Sequence, residues 1–97
     1  MHVRLTPRAE SQLLALPAPA ARKVVKALRA LSAAPHSGPA YPEDSPFAGL
    51  RYRIVVVRAR RWSYRVTYEV RSDAIWIRYL YPSWYPATHP DSTAPDD

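Results

Sequence analysis

The clearest periodicity in the chain is a strict alternation. Trp62, Tyr64, Val66, Tyr68 and Val70 are interleaved with Ser63, Arg65, Thr67, Glu69 and Arg71. Side chains on a β-strand point to opposite faces in turn, so this run predicts a strand with one apolar and one polar face. Tyr52 to Val57, β-branched and aromatic, predicts the strand before it, with Ala59-Arg60-Arg61 as the hairpin loop. Ser72-Asp73 makes a tight turn into a third strand from Ile75 to Tyr81. Strands joined by such short loops pair antiparallel.

Upstream the period changes. Ala20, Val24, Leu28 and Leu31 recur at helical spacing, with Arg22, Lys26 and Arg29 on the opposite face, which predicts a helix from about Pro19 to Ala34. Thr6-Pro7 reads as an N-cap followed by proline at the first helical position, opening a shorter helix with Ala9, Leu13 and Leu16 on its buried side and Pro17 as its end. The turn between the two helices is so short that they form an αα-hairpin. His2 to Leu5 alternates as a first strand. The predicted order is β-α-α-β-β-β, an α+β domain with an N-terminal helical hairpin packed on a small twisted antiparallel sheet.

Proline sharpens the boundaries. Eight of the eleven prolines lie between Pro35 and Pro46 or between Pro82 and Pro95, and none between Phe47 and Tyr81. Proline lacks a backbone donor, so a proline-free block between proline-rich ones reads as sheet between loops. Residues 1–85 are expected to form one domain, and 86–97, small, polar and acidic, a disordered tail.

Charge narrows the partners. Fourteen Lys and Arg stand against eight Asp and Glu, for a formal charge of +6, and from Pro82 onward there are three Asp and no base. A domain so basic attracts polyanions, whether nucleic acid or an acidic protein. The absence of cysteine excludes disulfides and thiolate chemistry and makes a reducing cytoplasm the default compartment. His2, His36 and His89 lie in three separate regions, so neither a metal site nor a Ser-His-Asp triad has support, and no cofactor is expected. No apolar stretch is long enough for a bilayer span.

Two stretches carry a resemblance. Leu5-Thr6-Pro7-Arg8-Ala9-Glu10, Leu14-Ala15-Leu16-Pro17 and Arg22-Lys23-Val24 through Leu31 resemble the helical hairpin of RelE/ParE-superfamily toxins. Gly49-Leu50-Arg51-Tyr52-Arg53-Ile54 and Tyr64-Arg65-Val66-Thr67-Tyr68-Glu69-Val70 are similar to that family's central strands. The resemblance covers about Val3 to Tyr81. It implies the toxin of a type II toxin–antitoxin pair, neutralised by a cognate acidic antitoxin. RelE-like members cut mRNA on the ribosome, whereas ParE-like members poison DNA gyrase without being nucleases.

The leading expectation is therefore a metal-independent endoribonuclease, an mRNA interferase. Such cleavage needs a proton taken from the 2′-hydroxyl, stabilisation of charge on the phosphate and a proton for the leaving 5′-oxygen. By resemblance Arg65 contacts the scissile phosphate from the open face of the sheet, and Arg53 on the neighbouring strand assists. Tyr81, Tyr85 or His89 would be the proton donor. Arg58, Arg60 and Arg61 at the hairpin tip, with Arg22, Lys26 and Arg29 on the helix, would hold nucleic acid through phosphate contacts. The pattern is incomplete: Val55 stands where RelE-like members have a second lysine, and Tyr81-Pro82-Ser83-Trp84-Tyr85-Pro86 lacks their C-terminal arginine. Gyrase inhibition and a non-toxic basic nucleic-acid-binding module remain the alternatives. Bland roles compete as well: Arg65 pairing with Glu69, and the helix cations as a solvated face. The last strand is apolar on both faces, so it is covered either by a partner or from within the monomer.

Overall fold

A computed structural model describes residues 1–58 and 62–84. Its elements are β1 (His2–Leu5), α1 (Pro7–Leu14), α2 (Ala18–Ala33), β2 (Arg51–Arg58), β3 (Trp62–Val70) and β4 (Ala74–Pro82). The element order is the expected one. The hairpin loop with Arg60 and Arg61, and the tail with Tyr85 and His89, lie outside the described residues.

Local chemistry explains each boundary. Thr6 caps α1 by accepting a bond from the Ala9 amide at 3.2 Å, and its hydroxyl donates to the Ile77 carbonyl at 3.1 Å. One side chain thus ends a strand, starts a helix and ties both to β4. α2 follows after Ala15, Leu16 and Pro17, with Pro19 in its first turn, where a missing N–H costs nothing.

The four strands are ordered β1-β4-β3-β2. β2, β3 and β4 form the expected antiparallel meander. β1 was expected in a wholly antiparallel sheet; instead it pairs parallel to β4, His2 opposite Ala74 and Leu5 opposite Ile77, which makes the sheet mixed. The helical hairpin carries the chain back past one face between β1 and β2, and that crossover permits a parallel neighbour. In β4 the register slips at Arg78: Thr67 faces Tyr79 whereas Tyr68 faces Ile77. The extra residue turns Arg78 and Tyr79 toward the same face.

The helices pack on one face. Ala9 of α1 and Ala20, Val24, Leu28 and Leu31 of α2 bury themselves against Tyr64, Val66 and Tyr68 of β3 and Ile75 and Ile77 of β4. This is the apolar side of the alternation, as expected, although Trp62 at its end is half-buried.

The opposite face is the unexpected one. Tyr41 and Phe47, from the proline-rich connection between α2 and β2, pack with Tyr79 and Tyr81 into a second buried cluster flanked by Leu50 and Tyr52. Tyr41 and Phe47 rings lie 5.0 Å apart, and Tyr79 and Tyr81 stack at 5.7 Å. The alternatives for the last strand are thereby settled: both of its faces are covered from within the monomer. Gly38 makes the return possible. Its amide donates to the Tyr68 hydroxyl at 3.0 Å, and a β-carbon there would press on that hydroxyl and on the Tyr52 carbonyl. No helix among the described residues is long and apolar enough to cross a membrane.

Candidate functional site

Arg65 sits at the centre of β3, opposite Ile54 on β2 and Tyr81 on β4. All three point away from the helices, to the face expected to be open. That face is covered here over β3 and β4, whereas Ile54 on β2 stays 45 % exposed. Arg65 is only 7 % exposed, and its neighbours Thr67 and Tyr81 are buried with it. The cover is the Tyr41–Phe47 lid, whose Tyr41 hydroxyl bonds to the Thr67 hydroxyl at 2.8 Å. Burial raises the Tyr41 pKa above its ordinary value of 10.0. The bond to Thr67 and the positive charge of Arg65 beside it pull it part of the way back.

The Arg65 guanidinium is incompletely satisfied, since its Nε and Nη2 have no hydrogen-bond partner among the described residues. The ion pair with Glu69 that competed with a functional role for Arg65 does not form. Glu69 Oε1 is taken by Arg78 at 2.9 Å and by Arg71 at 3.1 Å. Arg71 and Arg4 also lie over Trp76, 5.6 and 5.9 Å from its ring centroid. The bulge explains the rearrangement, because it swings Arg78 onto the face where Glu69 lies.

Arg53 does not join Arg65. Arg53 pairs with Val66 and Ile54 with Arg65, and directly opposed residues in an antiparallel sheet share a face. Arg53 is therefore on the helix side. It lines a cleft of about 280 Å³ between α2 and β2 together with Lys23 and Lys26. The expectation that Arg53 assists Arg65 from the neighbouring strand is corrected by a register offset of one residue. Such an offset reverses every side chain. Val55 is buried in the core beneath the same helix.

The remaining candidates divide by position. Tyr81 does adjoin Arg65 but is 7 % exposed. Arg58 ends β2 and is exposed; Arg22, Lys26 and Arg29 are exposed along α2, with Lys23 beside them. None of these α2 cations has a salt-bridge partner among the described residues. Sequence reasoning missed the lid and Lys23. The one available signal for the lid was two aromatic residues, Tyr41 and Phe47, in a segment otherwise made of turn formers.

The geometry defines a small basic α+β domain whose arginine surfaces lie on α2 and along β2, not in an open catalytic trough. A family model for the ParE toxin of the type II toxin–antitoxin system, parDE, matches residues 3–80, and the chain belongs to that family. No curated protein and no solved structure matches the chain. Membership makes it a type II toxin with an antitoxin protein as partner.

Proposed function

We propose that this toxin acts by binding a protein target, DNA gyrase as in ParE-like toxins, rather than by cutting mRNA on the ribosome. The observation that carries this reading is the burial of Arg65. A residue that stabilises charge on a scissile phosphate has to meet that phosphate, and this one is 7 % exposed beneath Tyr41. Its expected assistant, Arg53, points to the other side of the sheet. The exposed cations Arg22, Lys23, Lys26 and Arg29 on α2 offer a binding surface without any acid–base arrangement. On this reading they make the first contact with an acidic target surface, through complementary charge.

Two parallel assays test it. Purified toxin is added to gyrase with relaxed plasmid, and separately to ribosomes paused on a defined mRNA whose 5′ ends are mapped by primer extension. Loss of supercoiling without new mRNA ends supports the proposal, and reversing the charges of Arg22 and Arg29 should then abolish the inhibition. Cuts at A-site codons that vanish in Arg65→Ala would overturn it and restore the nuclease reading.

A further inference from the structure

Lys23 and Lys26 are three positions apart on α2, which sets them side by side on the helix surface. Arg53 faces them from β2, and the three border the cleft of about 280 Å³ between the two elements. Ala27 and Ala30 share that side of the helix, and their short side chains leave open a space that longer ones would fill. Val55, buried beneath the helix, forms part of the inner wall. A water molecule takes about 30 Å³ of liquid volume, so the cleft has room for a polyatomic ion together with bridging waters.

The charge in this cleft is unanswered. No acidic residue lines it, and none of the three cations has a salt-bridge partner among the described residues. The acidic side chains of the domain are elsewhere. Glu69 is held by Arg78 and Arg71, Glu10 lies in the first turn of α1, and Asp73 lies in the turn between β3 and β4. Like charges gathered around one space repel each other and work against the compact state. An anion seated among them reverses that sign.

We infer that the cleft between α2 and β2 is a phosphate-binding site, in which Lys23, Lys26 and Arg53 together hold one phosphate group. The donor set selects that ligand. Arg53 offers a planar fork that can bond two oxygens at once, and the two lysines are point charges without a fixed direction. A carboxylate has two oxygens and one charge, which a single guanidinium already satisfies. A phosphate has further oxygens and more charge, and can engage all three cations from both walls of the cleft. The site is separate from Arg65, which lies on the other face of the sheet. It is also independent of the choice of target.

The test titrates the purified toxin with pyrophosphate while its backbone amide signals are followed by NMR. Saturable shifts centred on Lys23, Lys26 and Arg53 are the expected result. Lys23→Gln, Lys26→Gln and Arg53→Gln should each weaken binding by about tenfold, the loss of one charge-assisted contact. Lys23 and Lys26 are exposed, so their variants keep the fold, which a melting curve checks. Arg4→Gln removes the same charge from β1, at the opposite edge of the sheet, and should leave the affinity unchanged. A second titration uses a duplex oligonucleotide. Shifts at the same amides that pyrophosphate reverses identify a nucleic-acid backbone as the source of the phosphate. Pyrophosphate binding without duplex binding identifies a small phosphorylated ligand. Absence of shifts at these amides, equal weakening by Arg4→Gln, or citrate binding as tightly as pyrophosphate overturns the site. No gyrase is present, so that failure leaves the target reading standing.

Discussion

Arg53 and Arg65 stand one register position apart on adjacent strands, and for that reason they lie on opposite faces of the sheet. The offset separates two residues that the nuclease reading expected to act together on a phosphate. It leaves Arg53 with the lysines of α2 and encloses Arg65 beneath the lid.

Arg65→Met should stabilise the protein. A buried cation with two unbonded donors loses its hydration without full return, and an apolar side chain of similar length removes that penalty. We expect a gain of about 1–2 kcal/mol, a Tm higher by roughly 4–16 °C in thermal denaturation of a domain this size. The Tyr41 hydroxyl should titrate higher still in this variant, since the favourable charge beside it is gone. An unchanged or lower Tm would mean that the guanidinium is better solvated than its burial implies.

Tyr41→Phe addresses the lid through pH. The native pKa of Tyr41 is raised, so above pH 10 the unfolded chain gives up this proton while the native protein retains it. Stability contributed by the protonated phenol is complete below that pH and falls as pH rises beyond it, by at most about 1.4 kcal/mol per pH unit. In urea titrations between pH 9 and 11 the variant should show a shallower decline than the wild type. At neutral pH it should be weaker by about 1–2 kcal/mol, because the Thr67 hydroxyl keeps its burial and loses its partner.

Gly38→Ala should open the lid. The added methyl meets the Tyr52 carbonyl and the Tyr68 hydroxyl, one of them rigid backbone. A loss of about 1–3 kcal/mol is expected, with faster exchange of the Tyr52 amide as the diagnostic reading, because its acceptor Pro39 lies next to the substitution.

Thr6→Ala should be costlier than the loss of an ordinary cap. It removes the bond to the Ala9 amide and also one of the two Thr6 donors to the Ile77 carbonyl, in a position only 2 % exposed. About 2 kcal/mol is expected from chemical denaturation, and Thr6→Ser should recover most of it.

The alternation in β3, the spacing of Ala20, Val24, Leu28 and Leu31, and the Thr6-Pro7 cap were all readable because each is a local pattern with one physical cause. The parallel seat of β1 was not, since four residues carry no information about which edge they join. The cover over Arg65 was hidden for a related reason. A strand's alternation says which residues share a face, whereas whether water reaches that face depends on a loop elsewhere, here Tyr41 and Phe47. The mutual placement of Arg53 and Arg65 depends on hairpin register, which a single residue reverses and which the loop sequence did not fix.

The second cluster of Tyr41, Phe47, Tyr79 and Tyr81 clads the inner strands of the sheet on both sides and leaves the outer half of β2 bare. Among the described residues the sheet is covered on both sides over β3 and β4, so on the proposed reading recognition falls to its rims and to the outward side of α2. The residues there, such as Ile54, Val56, Lys23 and Lys26, are separate from those that hold the fold together. Exchange of those rim residues should therefore alter binding on the proposed reading while leaving the interior as it is.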